Sequence, residues 1–134
     1  MNPVLKNILA VIAGIIIGSI VNMGLILLGH HIIPGPEGVD FMNPDSLKAN
    51  MHLFEHKHFV FPFLGHAIGT LVGALMAHKI AAKRKATMAL IVGIFFLFGG
   101  VMNAFNLGGP TWFNTLDLVL AYIPMAWIGA KLAS

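Results

Sequence analysis

Four long apolar segments constrain the fold of this chain more than any other feature of its sequence. They cover about residues 4–28, 59–82, 86–107 and 112–132. Each is long enough to cross a hydrocarbon core about 30 Å thick, which takes roughly 20 residues of helix. Backbone polar groups cannot stay unpaired in lipid, so each segment should be an α-helix. The sequence therefore predicts an all-α membrane protein, in which residues 1–134 form a single four-transmembrane-helix bundle.

The scarcity of charged residues supports this class and excludes several others. Only 10% of the residues are charged and 57% are hydrophobic, whereas a soluble domain carries about 25% charged residues. So few charges cannot cover the surface of a small water-soluble globule. A cytosolic enzyme domain, a nucleic-acid-binding module and a disordered chain are therefore excluded. The chain has no cysteine, which also excludes disulfides and thiolate metal sites.

The first apolar segment shares one feature with a secretory signal peptide, a lysine (Lys6) near its start. Its apolar run is longer than that of a typical signal sequence, and no A-x-A-like cleavage site follows it. We therefore expect an uncleaved first span.

The basic residues predict the orientation of the bundle. Six of the eight lie at one end of the predicted spans, namely Lys6, Lys79, Lys83, Arg84, Lys85 and Lys131. Because cytoplasmic loops carry an excess of Lys and Arg, both termini should be cytoplasmic (N-in, C-in) and the loop 29–58 should lie outside. The short loops suit a bacterial inner membrane. The cluster at residues 83–85 predicts contact with anionic headgroups of the lipid bilayer rather than with nucleic acid.

The outer loop is the one long connection, and it predicts a short helix. The run Asn43-Pro44-Asp45-Ser46 is typical of a helix start, with Asp45 or Ser46 as the N-cap. Beyond it, three apolar residues recur at helical spacing, Leu47, Met51 and Phe54. We expect an amphipathic interfacial helix in this loop, between spans one and two, lying on the outer membrane surface.

A short histidine motif in the same loop indicates a candidate metal site. His52, Glu55 and His56 match the H-x-x-E-H spacing of some zinc peptidases. On a continuous helix the two histidines would share a face at i, i+4 and hold one Zn or Cu ion, with the glutamate beside both. The motif supplies no third ligand, and a solvated face of an interfacial helix explains the same residues. No other cofactor is predicted.

Small residues recur every four positions in the spans. The glycines that we predict to pack between helices are Gly14 and Gly18 in span one, Gly65, Gly69 and Gly73 in span two, and Gly99 in span three. Such stripes let helix backbones approach closely. The partner helix can belong to the same chain or to another copy, so the stripes are compatible with internal packing and with self-association.

Polar side chains inside the spans form the candidate ligand or ion path. They are Asn22, His66, Thr70, Asn103, Asn106, Asp117 and Tyr122. Ionisable residues at membrane depth are costly, so His66 and Asp117 indicate a functional site. The alternative is a hydrogen-bond network that only holds the helices together. Pro124 lies in the middle of span four and predicts a kink beside Tyr122.

These features leave three hypotheses for the function. No motif for a nucleotide, haem, flavin or phosphate is present, and we favour a non-enzymatic function. The first hypothesis is a homo-oligomeric pore or carrier for a small solute or ion, which the glycine stripes and the polar path favour. The second is an accessory subunit that binds lipid or a partner membrane protein. The third is a metal-binding protein or membrane enzyme with its site at the outer interface.

Overall fold

The chain folds into helices alone. A computed structural model describes residues 1–134 and contains no β-strand. The α-helices are α1 (Pro3–Ile32), α2 (Pro44–Ala49), α3 (Val60–Ile80), α4 (Lys85–Leu107), α5 (Thr111–Leu120) and α6 (Ile123–Ala133). Four stretches are long and apolar enough to cross a membrane, namely α1, His56–Ile80, α4 and Thr111–Ala133. The prediction of an all-helical chain with four helices long and apolar enough to span a membrane is therefore confirmed.

Successive spans run in opposite directions. Residues 33–59 connect α1 to α3 at one end of the bundle, which we call the loop end. Both chain termini and the turn at residues 81–84 lie at the opposite end, which we call the termini end. There the side chain of Asn7 holds the turn to α1. Its Oδ1 accepts hydrogen bonds from the backbone N–H groups of Ala82 (2.8 Å) and Lys83 (3.2 Å), and its Nδ2 donates to the carbonyl of Lys83 (3.0 Å).

Helices α1 and α3 pack backbone against backbone through glycines. A Cβ atom on Gly14 would lie 2.5 Å from the carbonyl oxygen of Gly73, and one on Gly18 would lie 2.7 Å from that of Gly69. Conversely, a Cβ on Gly73 would lie 2.6 Å from the carbonyl oxygen of Gly14, and one on Gly69 would lie 2.8 Å from that of Gly18. On the same face, a Cβ on Gly65 would lie 2.7 Å from Oδ1 of an asparagine of α1. These five positions therefore have no room for a side chain, which is the physical reason that glycine occupies them.

The opposite face of α1 is apolar and uncovered. Its isoleucines at every fourth position are between 47% and 66% exposed, namely Ile8, Ile12, Ile16 and Ile20. A soluble monomer rarely exposes so large a contiguous apolar patch. In a bilayer the same stripe faces acyl chains, as the membrane assignment requires.

Helix α6 closes the bundle against α3 and α4, again through glycines. Gly129 lies against the backbone carbonyl of Leu71, and Gly93 of α4 lies against the side chain of Ala126. The sequence predicts that Gly99 also packs against another helix. Within this chain, however, no atom lies within 4 Å of the position that its Cβ would take. Its neighbour Gly100 contacts the ring of a tyrosine instead. Consecutive residues on a helix point about 100° apart, so only one of the two can face the bundle.

The fourth span is broken rather than kinked. Helix α5 ends at Leu120 and α6 begins at Ile123, so the residues at 121–122 fall outside both helices. Pro124 occupies the first turn of α6. Proline has no N–H to donate to the carbonyl four residues earlier, and its ring clashes with that carbonyl. The sequence predicts a kink at this proline, and the structure places a full interruption just before it.

The predicted helix of the loop is shorter than the spacing of its apolar residues indicates. Helix α2 ends at Ala49, and two 3-10 turns, Met51–Leu53 and His56–Phe59, replace the rest of the predicted helix. Its N-cap is Asn43, whose Oδ1 accepts from the N–H of Asp45 at 2.9 Å, and not Asp45 or Ser46. The N–H of Asp40 donates to Oγ of Ser46 at 3.0 Å, so this hydroxyl secures the preceding turn instead.

Candidate functional site

A buried polar network joins α3 to the interrupted fourth span. Nδ1 of His66 lies 2.8 Å from Oδ1 and 3.0 Å from Oδ2 of Asp117. The hydroxyl of Tyr122 donates a hydrogen bond to Oδ2 of the same carboxylate at 3.1 Å. Asp117 is 5% exposed and Tyr122 is 3% exposed. With Asp117 ionised, the carboxylate accepts from both neighbours, so Nδ1 of His66 carries a proton.

The interruption of the fourth span allows this arrangement. On a continuous helix, residues five positions apart point about 140° away from each other. Because the helix stops after Leu120, the Tyr122 side chain turns back to the Asp117 side of the span. Its ring stacks on that of His66, with centroids 5.9 Å apart and planes 25° apart. Gly100 of α4 leaves the space that the tyrosine ring fills.

The network borders a cavity at the loop end of the bundle. The cavity measures about 510 Å³, and both His66 and Asp117 line it. Small-molecule sites in proteins typically measure about 300–1,000 Å³. Its walls come from α1, α3, α4 and α5, and the loop covers it with residues of α2 and of the turns that follow. The cavity is therefore large enough for an organic molecule of moderate size.

Most of the cavity wall is apolar, and several of the polar groups on it are amides. Its aromatic residues include Phe41, Phe54, Phe59, Phe61 and Phe113. Its side-chain amides are those of Asn103, Asn106 and Asn114. This combination of an apolar wall with a few polar groups is typical of sites that bind amphipathic organic ligands.

Aromatic contacts hold the loop over the cavity. The ring of His30 stacks on Phe41 with centroids 4.0 Å apart, and Phe59 lies 4.6 Å from Phe113. His56 contacts Trp112 edge-on at 5.0 Å. The contacts pair residues of the loop with α1 and with α5, so the cover is attached at both sides of the cavity.

The structure separates the predicted polar path into three groups. His66, Asp117 and Tyr122 form the network, and the exposed side chains of Asn103 and Asn106 line the cavity. The remaining two neither hydrogen-bond to the network nor line the cavity. These are Asn22 and Thr70, whose oxygens Oδ1 and Oγ1 are buried without a hydrogen-bond partner.

The histidine motif of the loop does not lie on the continuous helix that its spacing predicts. His52 and His56 lie in separate 3-10 turns, with an extended residue, Phe54, between them. They therefore do not share a helix face. Glu55 faces Lys57 at 3.6 Å, and no group of three His, Asp or Glu residues is close enough together to hold an ion. The expected Zn or Cu site at His52, Glu55 and His56 thus loses its helical basis.

Sequence reasoning did not identify the α1 wall of the cavity. Met23, Ile26 and His30 line it from the last turns of α1. Their spacing of three and four residues places them on one helix face. That spacing was a detectable signal, but the apolar character of the whole segment hides it.

The chemistry of the site must be inferred from its own geometry. Comparisons with protein-family models, with curated proteins and with solved structures find no match to this chain. The His66–Asp117 pair carries no net charge when the imidazole is protonated and one negative charge when it is neutral. The second ring nitrogen of His66 makes no hydrogen bond within the chain, and the side chain is 17% exposed. The pair can therefore offer a hydrogen-bonding group, or a negative charge, to a ligand in the cavity.

Proposed function

We propose that this protein is a small membrane carrier that binds an organic solute in the loop-end cavity. The observation that carries the proposal is the position of the buried His66–Asp117 pair on the wall of a cavity of about 510 Å³. Burying an ionisable pair within the membrane is costly, and such residues commonly mark substrate or ion pathways. A purely structural hydrogen bond would not need a cavity beside it.

The wall chemistry indicates the class of solute. Aromatic and methionine side chains suit an apolar body, whereas the amides of Asn103, Asn106 and Asn114 suit a polar group. Asp117 is the only acidic residue that lines the cavity, and the ammonium of Lys57 on the same wall lies 3.6 Å from the carboxylate of Glu55. Aromatic faces also attract cations. The solute that fits best has an apolar body and a single ammonium group or other strong hydrogen-bond donor.

A carrier fits the packing better than an open pore. Below the network, α1 and α3 touch through Gly14 and Gly73, and small buried residues such as Ala74 and Ala126 fill the rest. A solute in the cavity therefore has no continuous path to the termini end. Transport requires a change of shape, and interrupted helices beside the binding site are a recurring feature of secondary transporters. The interruption between α5 and α6 supplies such a feature.

The orientation and the membrane belong to the same proposal. Basic residues concentrate at the termini end, which favours a cytoplasmic position for both termini. The cavity would then open on the outer side, which is the periplasm if the protein resides in a bacterial inner membrane. The loop would lie at the outer membrane surface, as its exposed side chains and its position over the cavity favour.

Self-association completes the proposal. Gly24 of α1 and Gly99 of α4 are exposed, and nothing within the chain lies within 4 Å of their Cβ positions. Small residues on lipid-facing surfaces allow helices of another copy to approach closely. We therefore propose a homo-oligomer of carriers, each with its own cavity. Purification with a different membrane protein in fixed ratio would favour the accessory-subunit function instead.

Binding and uptake of amines test the proposed function. A panel of arylalkyl amines such as phenethylamine, with neutral counterparts such as 2-phenylethanol, is added to purified protein and to proteoliposomes. We expect the amines to raise the unfolding temperature and to accumulate in the vesicles, and Asp117→Asn to abolish both effects. Glu37→Gln is the matched control, because it removes one carboxylate from an exposed loop position outside the cavity. No response of the wild type to any amine, or equal responses of wild type and Asp117→Asn, would reject the proposal.

A further inference from the structure

A second cavity lies at the termini end, between α1 and α4. This groove measures about 710 Å³ and is bordered by ten residues. Its long walls are apolar, with Val4, Ile8, Val11 and Ile12 on one side and Met88 and Ile91 on the other. The isoleucines of α1 belong to the uncovered stripe that faces lipid, so the groove opens toward the bilayer.

One end of the groove is positively charged and held in place. Lys83 and Arg84 border it there, beside Asn7. The three hydrogen bonds of the Asn7 side chain fix the turn that carries them. Arg84 adopts a left-handed backbone conformation with φ of 48°, which sets the direction in which the chain leaves the turn. The backbone that carries both basic residues is therefore fixed relative to the apolar walls.

No acidic residue of the chain neutralises this end. Four of the five acidic residues lie in the loop at the opposite end, and the fifth is Asp117 in the buried network. Neither Lys83 nor Arg84 takes part in an ion pair within the chain. An occupant that supplies a negative charge at one end and hydrocarbon along the rest complements this groove.

We infer that the groove is a binding site for one anionic phospholipid molecule. Its phosphate lies against Lys83 and Arg84, where a guanidinium can donate two parallel hydrogen bonds to phosphate oxygens. Its acyl chains follow the walls formed by Val4–Ile12 and by Met88 and Ile91. A second copy of the chain is a poorer occupant, because a symmetric contact would bring the two Lys83–Arg84 pairs together. The site lies at the opposite end from the carrier cavity and does not depend on the proposed function.

Native mass spectrometry of the whole protein tests this site. The probes are phosphatidylglycerol and phosphatidylcholine with identical acyl chains, added to delipidated protein in detergent. We expect one phosphatidylglycerol per chain to be retained preferentially. The double variant Lys83→Gln/Arg84→Gln should reduce that retention by roughly tenfold or more, since each basic residue near an anionic headgroup contributes appreciably to binding.

Three comparisons separate a defined site from general attraction. Lys79→Gln/Lys131→Gln removes the same charge from the same end outside the groove and should leave retention unchanged. Ile8→Trp fills the groove without altering charge and should reduce retention, with circular dichroism confirming that the variant is folded. Inorganic phosphate in excess should not displace the lipid. The inference is overturned by equal retention of the two lipids, by equal effects of the two double variants, by retention in Ile8→Trp, or by displacement with phosphate.

Discussion

A Cβ atom on Gly100 would lie 2.5 Å from the hydroxyl oxygen of Tyr122. The tyrosine ring therefore occupies its position only because residue 100 has no side chain. From that position the hydroxyl reaches Oδ2 of Asp117 at 3.1 Å. Gly100 thus helps to determine the geometry of the buried network, although it takes no part in its hydrogen bonds.

Gly100→Ala should disturb the network, whereas the neighbouring Gly99→Ala should not. The added methyl group at residue 100 collides with the ring of Tyr122, and overpacking of this kind typically costs about 1–3 kcal/mol. Within one chain, residue 99 has open space around its Cβ position, so it is the control for protein dispersed as monomers. Thermal unfolding in detergent measures the two variants side by side. Equal unfolding temperatures would mean that Tyr122 can move away freely.

The packing of α1 against α3 predicts a strong dependence on glycine. Gly73→Ala places a methyl group against the carbonyl oxygen of Gly14, which is backbone and cannot rotate away. We expect a loss of about 1–3 kcal/mol in the free energy of unfolding. Gly24→Ala in α1 is the control for protein dispersed as monomers in detergent, since nothing within the chain lies within 4 Å of its Cβ position. The free energies of unfolding of the two variants are measured by titration with a denaturing detergent. An unchanged free energy for Gly73→Ala would contradict the close backbone contact.

The His66–Asp117 pair should behave as one unit in a double-mutant cycle. Either single change, His66→Leu or Asp117→Leu, leaves a buried polar partner unsatisfied, which costs about 1–3 kcal/mol. The double variant removes both partners, so its cost should fall short of the sum by about 0.5–3 kcal/mol. Asp117→Leu combined with Asn7→Ala, at the opposite end of the bundle, should be additive. Additivity in both cycles would show that the pair contributes no coupling.

Pro124→Ala should restore continuity in the fourth span. Alanine supplies the N–H that the carbonyl of Leu120 lacks and removes the ring that clashes with it. Spin labels at Leu116→Cys and Trp127→Cys report the change, because both side chains are exposed and the chain has no other cysteine. Their separation should approach that of a straight helix, with a rise of about 1.5 Å per residue. Amine binding should weaken as Tyr122 moves away from Asp117, and an unchanged separation would reject the role of the proline.

Asn7→Ala should release the turn at the termini end. The turn loses three hydrogen bonds, each of which contributes about 0.5–1.5 kcal/mol in typical cases. Trypsin cleaves after lysine and arginine, so cutting at residues 83–85 should accelerate in the detergent-solubilised variant. Asn106→Ala removes an amide from the opposite end and serves as the control. Equal cleavage rates would show that other contacts hold the turn.

The spans could be predicted from sequence because apolar length is a local property. The first helix nevertheless extends to Ile32, beyond the predicted end at residue 28. His30 looks like the start of a polar loop, but it continues the helix face that lines the cavity. The residue before a proline is driven out of the helical conformation, so the helix ends shortly before Pro34. Hydropathy shows where the apolar run ends, but it does not show where the helix ends.

The loop shows why periodicity alone misleads. Leu47, Met51 and Phe54 follow helical spacing, yet α2 ends before the second of them. All three line the cavity, from different elements of the loop. The three residues are therefore apolar because they line the same cavity, and not because they lie on one helix. Only the tertiary structure distinguishes these two causes.

Part of the candidate site could be predicted, and part depends on contacts between distant segments. His66, Asp117 and Tyr122 stand out as polar groups within apolar spans. Which glycine of α4 faces them is set by the rotation of that helix about its axis: the spacing of small residues predicts Gly99, whereas the structure places Gly100 there. The packing of α6 decides this rotation, since Ala126 contacts Gly93 two turns earlier.

The backbone contact between α1 and α3 has a consequence for biogenesis. Helices α1 and α3 precede α4, α5 and α6 along the chain, so their complementary surfaces can meet before those helices enter the membrane. The hairpin that they form then presents the backbone of Leu71, on which Gly129 must dock. Assembly should thus proceed from the hairpin of α1 and α3 outward, and α6, which packs against α3 and α4, joins after them.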